Sequence, residues 1–103
     1  RGNEPREITQ AVSPEVAGEI EDLMLASERN TSGGRSGIAS KTGTAEHGGE
    51  GTPPHTWYVA YLPDSDVAVA VVVKDGGGFG SSATGGQVAS PVGRAVLDAA
   101  GGQ

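Results

Sequence analysis

Apolar residues recur at helical spacing near the start of the chain. Four of them lie at i, i+4, i+7 and i+8, which is the spacing of one face of a helix. They are Val16, Ile20, Leu23 and Met24. The preceding Ser13-Pro14-Glu15 has a capping hydroxyl, a proline suited to the first turn and an acidic side chain, as helix N-termini commonly do. We therefore predict a helix whose apolar face covers other apolar surface.

A second helical stripe lies near the other end of the chain. Its members are Val88, Val92, Val96 and Ala99. Pro91 interrupts this stripe, and a proline inside a helix removes a hydrogen bond and clashes with the preceding turn. Either the helix begins at Pro91 with Ser90 as its cap, or Pro91 kinks a longer helix.

The middle of the chain has the pattern of three strands. Residues 36–46 lack a helical period, and residues 56–62 are rich in β-forming side chains. Residues 67–73 are continuously apolar, which predicts a strand buried on both faces. The turn residues 63–66 join the last two strands into an antiparallel hairpin. The predicted order is helix, three strands, helix: an α+β fold with an antiparallel sheet flanked by helices.

The composition favours part of a larger domain. The chain has 103 residues, of which 35% are hydrophobic and 4% aromatic, and both fractions are low for a self-sufficient core. The chain also has 18 glycines, which are concentrated in predicted loops and form no repeat. We therefore expect residues 1–103 to form one layer of a domain.

Charge and cysteine content exclude several kinds of partner and site. The net charge is −6 and the basic residues are scattered, whereas nucleic acids and anionic membranes attract clustered Lys and Arg. The absence of cysteine excludes disulfides and thiolate metal sites. No run approaches about 18 apolar residues, and no signal peptide is recognisable. Any membrane attachment would therefore use an anchor absent from this chain.

The candidate chemistry lies in Lys41-Thr42-Gly43-Thr44, at the end of the first predicted strand. A lysine beside two hydroxyls and a glycine makes a positive, hydrogen-bonding edge suited to a carboxylate. Lys-Thr-Gly is one of three motifs of penicillin-recognising serine enzymes. The other two, Ser-x-x-Lys and a Ser-Asp-Asn type of triplet, do not occur here. The pattern indicates one wall of an active site whose nucleophile lies elsewhere.

Two other glycine-containing patterns resemble nucleotide sites but lack the required context. A phosphate-binding loop ending at Lys41 needs glycine at two positions that are Arg35 and Ser40. Residues 78–83 match G-x-G-x-x-A, but the preceding hairpin is antiparallel and no second parallel strand follows. We interpret this stretch as a loop between two elements.

Two histidines lie in the loop after the candidate strand. His47 and His55 are eight residues apart, with Glu46 and Glu50 nearby. A zinc site needs three or four rigidly held ligands, whereas this loop is rich in Gly and Pro. We therefore interpret both as exposed loop histidines and predict no metal site.

The motifs together closely resemble the C-terminal part of penicillin-binding protein transpeptidases. The similar segments are Ile38 to Glu46, a Gly/Pro loop, Trp57 to Pro63, a valine-rich strand, Ala83-Thr84-Gly85-Gly86 and the final helix. They cover about residues 13–100 and are most similar to the class B enzymes of actinobacteria. In that family helices flank an antiparallel sheet, and the Lys-Thr-Gly strand lines the catalytic cleft.

The resemblance implies a role for each residue of the motif. Lys41 would attract the terminal carboxylate of the substrate and assist proton transfer near the nucleophile. Thr42 and Thr44 would hydrogen-bond that carboxylate, and Gly43 would let the substrate lie close to the strand. The backbone N–H of Thr44 would be one oxyanion donor. Ser40 stands where the family usually has glycine; it is small enough to be tolerated there, and altered packing behind the strand is the alternative.

The implied function is that of a segment of a peptidoglycan D,D-transpeptidase acting in cell-wall synthesis during growth, shaping or division. The intact enzyme would cross-link stem peptides ending in D-Ala-D-Ala through an acyl-serine, without a cofactor, at the extracytoplasmic face of the membrane. β-Lactam antibiotics would acylate the same serine. The nucleophile would come from the missing N-terminal half of the domain, so this chain alone would be inactive.

Three alternative functions stay open. A D,D-carboxypeptidase or a serine β-lactamase would share the motif, although Thr44-Ala45-Glu46 favours the transpeptidases. A non-catalytic module that binds β-lactams or stem peptides is the third. An activity assay on the intact protein separates the enzymes from one another, and the residue at the nucleophile position identifies a non-catalytic module.

Overall fold

The computed structural model describes residues 6–101 and contains the predicted order of elements. The elements are helix α1 (Pro14–Arg29), strands β1 (Ala39–Ala45), β2 (His55–Tyr61) and β3 (Ala68–Val73), a 3₁₀ segment (Lys74–Ser82) and helix α2 (Ala89–Ala100). The predicted α+β class is confirmed, and every strand limit lies within three residues of the predicted one. Residues 1–5 and 102–103 of the expected segment lie outside the described residues. Among the residues described, no helix is both long and apolar enough to cross a membrane.

The three strands form one antiparallel sheet in the order β1-β2-β3. The hairpin predicted for β2 and β3 is confirmed, with Tyr58 of β2 between Thr42 of β1 and Val71 of β3. β1 and β3 are therefore the two outer strands of the described sheet.

One face of the sheet packs against α2 and holds the core. The buried apolar residues of this core come from the sheet, the segment before it and α2. They are Ile38, Tyr58, Ala60, Ala89 and Leu97. The opposite face carries Trp57, Val59 and Val72, which are 43%, 39% and 45% exposed.

The prediction that the valine-rich strand is buried on both faces is wrong. Along β3, exposed and half-buried residues alternate. The reason is that β3 is an outer strand and α2 covers only one of its faces. A continuous apolar run was thus compatible with burial on a single side.

Helix α1 begins as predicted, but much of its apolar stripe is exposed. The backbone N–H of Val16 donates to Ser13 Oγ at 3.2 Å, which confirms the cap. Ile20 and Leu23 are 45% and 70% exposed, whereas Met24 is half-buried beside apolar residues of β2 and β3. Among the residues described, only this end of the stripe has the predicted covering role. The helix also contacts the sheet through polar groups, because Glu21 and Glu28 accept hydrogen bonds from tyrosine hydroxyls of β2.

Both predictions for Pro91 in α2 are wrong. The helix begins at Ala89, so Pro91 lies in the first turn, where a missing N–H leaves no intrahelical bond unmade. Ser90 does not cap the helix; its hydroxyl donates to the Gly85 carbonyl at 3.0 Å.

The predicted apolar face of α2 is also wrong. Val92 and Val96 are 47% and 45% exposed, and the buried face instead contains Gly93, Arg94 and Leu97. Gly93 permits this orientation because a Cβ there would collide with the Tyr58 ring. Arg94 turns inward to reach a buried carboxylate, which an apolar pattern does not indicate.

Candidate functional site

The Lys-Thr-Gly-Thr run lies in β1, which within residues 6–101 pairs only with β2. Lys41 is opposite Val59, and Gly43 is opposite Trp57. Directly opposed residues share a face of the sheet, so Lys41 and Gly43 lie on the exposed apolar face. The Lys41 side chain is exposed, and its Nζ donates to the Thr42 carbonyl at 2.8 Å. The ammonium therefore lies close to the backbone of the outer strand.

Thr42 and Thr44 lie on the opposite face of β1, under the turn that precedes α2. Gly85 contacts this part of the strand so closely that a Cβ would lie 2.9 Å from Thr42 Cβ and 2.8 Å from the Gly43 carbonyl oxygen. The backbone N–H of Gly85 also donates to Thr44 Oγ1 at 3.3 Å. The structure thus joins the Ala-Thr-Gly-Gly run to the strand through a residue that has to be glycine.

A buried carboxylate lies directly behind the motif. Glu28 of α1 is completely buried and accepts hydrogen bonds from Ser40 Oγ at 2.6 Å and from the Tyr58 hydroxyl at 2.8 Å. Its other oxygen accepts from Arg94 Nε at 2.7 Å and from the Arg35 amide at 3.0 Å. One side chain thereby links α1, β1, β2, α2 and the segment before β1.

The hydrogen bonds in this cluster set the protonation states of Glu28 and Tyr58. Burial by itself raises the pKa of Glu28, but the hydrogen bonds from Arg94, Ser40, Tyr58 and the Arg35 amide outweigh it, so that this pKa lies below its ordinary value. Burial and the bond to Glu28 raise the pKa of Tyr58 to about 12. Glu28 is therefore ionised and Tyr58 neutral at pH 7.

Arg94 completes the cluster from the α2 side. Burial alone lowers the pKa of Arg94, but the ion pair with Glu28 raises it overall. Its Nη1 donates to the Ser32 carbonyl at 3.1 Å, and the guanidinium carbon lies 5.5 Å from the centre of the Tyr58 ring, within the range of a cation–π contact. Glu28 and Arg94 thus form a buried ion pair with hydrogen bonds on both partners.

The structure brings the four predicted site residues together in one strand but on two faces. Sequence reasoning missed the supporting residues Glu28 and Arg94, and it noted Gly85 only as part of the Ala-Thr-Gly-Gly run. The only signal toward Glu28 was Ser40, a hydroxyl where the resembled family usually has glycine. Behind the strand, the Ser40 hydroxyl donates a hydrogen bond to Glu28.

Comparison with known proteins identifies one family. The sequence profile of the penicillin-binding protein transpeptidase domain matches residues 3–98. A peptidoglycan D,D-transpeptidase PbpA of Mycolicibacterium smegmatis is 54% identical, over 93% of this chain and 21% of that protein. The PbpA of Mycobacterium tuberculosis is 50% identical, over 88% of this chain and 20% of that protein.

The structural comparison agrees with the sequence comparison. A crystal structure of PBPA from Mycobacterium tuberculosis matches with a TM-score of 0.73 and 49% identity, over 89% of this chain and 24% of that one. This chain therefore spans about a fifth of the length of the relatives it matches. Their mycobacterial origin agrees with the actinobacterial character of the motifs.

Proposed function

The chain belongs to the penicillin-binding protein transpeptidase family, and we propose that it forms the Lys-Thr-Gly wall of the active site of a serine-type peptidoglycan D,D-transpeptidase. The single observation that carries this proposal is the position of Lys41. It is exposed on an outer strand, and the residue before it is hydrogen-bonded to the buried carboxylate of Glu28. A catalytic wall needs this combination of an accessible charge and a rigid support.

In this proposal the motif binds the terminal carboxylate of the stem peptide or of a β-lactam. Lys41 supplies the positive charge from one face of β1, and Thr42 and Thr44 supply hydroxyls from the other face. The carboxylate would therefore lie at the outer edge of β1, which both faces border. Gly43 lets the ligand lie against the strand, because a residue without a side chain leaves the backbone accessible. The backbone N–H of Thr44 stabilises the developing oxyanion, a contribution worth roughly 10²–10³ in rate.

The proposed nucleophile comes from sequence outside this chain. No Ser-x-x-Lys occurs among the 103 residues, and the chain corresponds to about a fifth of each relative. We infer that the rest of the transpeptidase domain supplies the serine and packs on the exposed face with Trp57, Val59 and Val72. The chain by itself would then be inactive, and an anchor outside it would hold the enzyme at the extracytoplasmic face of the membrane.

The test compares two lysine variants of the full-length protein. Lys41→Ala should slow acylation by a fluorescent penicillin about ten- to a hundredfold, because a hydrogen bond to a charged group contributes about 1.5–3 kcal/mol. Lys74 is also exposed but lies outside the motif, so Lys74→Ala should acylate at the wild-type rate. Equal rates for Lys41→Ala and wild type would refute the role of Lys41.

A second assay addresses the reaction class. The full-length enzyme is given a peptide ending in D-Ala-D-Ala together with an acceptor amine. A cross-linked product identifies a transpeptidase, whereas a shortened peptide alone identifies a carboxypeptidase. Wild-type protein that acylates with penicillin but releases it rapidly as penicilloate would instead be a β-lactamase.

A further inference from the structure

Two histidines and an aspartate from three different segments meet beside the Lys-Thr-Gly-Thr strand. His47 lies in the loop after β1, His55 is the first residue of β2, and Asp75 follows β3. His47 Nε2 is 3.4 Å and His55 Nδ1 is 3.9 Å from Asp75 Oδ1. One ligand atom from each residue lies within 4.8 Å of the other two.

The strand register explains why these residues meet. His55 pairs with Ala45 at the end of β1, and the loop between them folds back so that the two imidazole rings stack with centroids 4.0 Å apart. The neighbouring β2 residue, Thr56, pairs with Val73 at the end of β3, which brings Asp75 to the same end of the sheet. The cluster is therefore fixed by strand pairing as well as by the loop.

Asp75 has an unusual backbone that suits this position. Its φ is 56°, the only positive value among the non-glycine residues of the described chain. Aspartate is one of the few residues that adopt this left-handed conformation readily, and such conformations are concentrated at functional sites. In this conformation the Asp75 amide donates to His55 Nδ1 at 3.0 Å, and the carboxylate faces both histidines.

We propose that His47, His55 and Asp75 bind one divalent first-row transition cation of the Zn²⁺ type. Two imidazoles and one carboxylate suit such a cation. In a tetrahedral site with bonds of about 2.0–2.1 Å, ligand atoms lie about 3.3 Å apart. The 3.4 Å separation of His47 Nε2 from Asp75 Oδ1 matches that spacing, and the 3.9 Å separation from His55 Nδ1 needs a small contraction. A fourth position is left for water or another ligand.

Binding requires two local changes. His55 Nδ1 accepts a hydrogen bond from the Asp75 amide. Coordination of a metal ion by Nδ1 would replace this hydrogen bond with a metal–ligand bond. The stacked rings also have to separate slightly, because two imidazoles on one tetrahedral ion cannot lie face to face at 4.0 Å. His47 and Asp75 are exposed and His55 is half-buried at the start of β2, and none of the three belongs to the buried core.

The bound cation would fix the loop that follows the Lys-Thr-Gly-Thr strand. His47 is two residues beyond the end of β1, and the ion would tie it to the first residue of β2 and to the segment after β3. The loop also borders a cavity of about 300 Å³, which is lined by Glu46, His47, Glu50, Pro54 and Ser81 among others. The metal site is independent of the transpeptidase proposal, because it uses none of the motif residues.

The experiment measures Zn²⁺ binding to tag-free, full-length protein that has been treated with a chelator. Calorimetric titration with Zn²⁺ alone compares wild type with His47→Gln and Asp75→Asn. Both positions are exposed, and Asn tolerates the left-handed backbone as Asp does, so we expect both variants to fold. Asp64→Asn removes an exposed carboxylate from a turn outside the cluster and is the matched control.

We expect wild type and Asp64→Asn to bind one more Zn²⁺ per chain than either cluster variant, or to bind that ion at least tenfold more tightly. Co²⁺ should give the visible absorption of a tetrahedral site in wild type and Asp64→Asn but in neither cluster variant. Equal stoichiometry and affinity in all four proteins would overturn the proposal, as would the absence of any Zn²⁺ binding by wild type. A thermal melt in chelator checks that all four proteins are folded.

Discussion

The hydroxyl of Ser40 donates a 2.6 Å hydrogen bond to Glu28 Oε1, and both side chains are fully buried. Ser40 immediately precedes Lys41, and the two side chains point to opposite faces of β1. The carboxylate of a helix is thereby fixed to the back of the strand whose front carries the candidate ammonium. This short polar contact therefore helps to set the position of β1 relative to α1.

Ser40→Ala should therefore destabilise the transpeptidase domain. The variant removes one of the donors to an ionised carboxylate, and a hydrogen bond to a charged group contributes about 1.5–3 kcal/mol. We expect a loss of that size in the free energy of unfolding, measured by urea denaturation of the full-length protein. Ser36 is exposed and lies outside the cluster, so Ser36→Ala should change the free energy by less than about 0.5 kcal/mol. Equal stabilities of the two variants would contradict the prediction.

The ion pair of Glu28 and Arg94 predicts a pH dependence of stability. Replacing one partner of a buried pair costs about 3–5 kcal/mol, so Glu28→Gln should strongly lower the melting temperature at pH 7. The pKa of Glu28 in the folded protein is below the ordinary value of 4.5. The ionised carboxylate therefore adds its full contribution to the free energy of unfolding above pH 4.5. This contribution is lost as the pH falls through the pKa of Glu28 in the folded protein.

The measurement is the melting temperature of wild type and Glu28→Gln between pH 7 and pH 3. The difference in melting temperature between the two proteins should be constant near neutral pH and should decrease below pH 4.5. Arg94 stays charged throughout this range, so the narrowing reports the carboxylate. A difference that widens in acid would show that Glu28 is protonated in the folded state.

Two helical glycines allow a matched test of the packing between α2 and the sheet. A Cβ at Gly93 would collide with the Tyr58 ring, whereas a Cβ at Gly18 of α1 has nothing within 4 Å. Gly→Ala in a helix is favourable by up to about 1 kcal/mol, and overpacking typically costs about 1–3 kcal/mol. Gly18→Ala should therefore raise the melting temperature and Gly93→Ala should lower it. A stabilising effect of Gly93→Ala would contradict the close packing of Gly93 on the Tyr58 ring.

The order of the elements could be predicted from the sequence because each element has a strong local signal. The cap at Ser13 and the turn at residues 63–66 depend on the chemistry of a few adjacent residues. Such local signals do not depend on tertiary packing. The antiparallel hairpin followed from the same signals.

The faces of the two helices could not be predicted, because buried polar contacts decide them. An apolar pattern selected Val92 and Val96 for the core, but the ion pair between Arg94 and Glu28 turns α2 the other way. These two residues are 66 positions apart, so no local pattern connects them. The contact of Asp75 with the two histidines could not be predicted for the same reason, since only strand pairing brings Asp75 to their end of the sheet.

The last prediction separates the two roles proposed for Thr44. In the full-length protein, Thr44→Ala keeps the backbone N–H and loses only the hydroxyl. That hydroxyl accepts a hydrogen bond from the Gly85 amide at 3.3 Å, and a neutral hydrogen bond contributes on the order of 1 kcal/mol of free energy. Thr44→Pro also removes the N–H, so we expect a further loss of roughly 10²–10³ in the rate of acylation by penicillin.

Proline also disturbs strands, but outer strands tolerate it better than central ones, and β1 is an outer strand of the described sheet. The melting temperature must therefore be measured together with the rate. A Thr44→Pro variant that melts near Thr44→Ala but acylates much more slowly would assign the oxyanion contact to the backbone of Thr44. If the folded proline variant acylates as fast as the alanine variant, the oxyanion donor is another group.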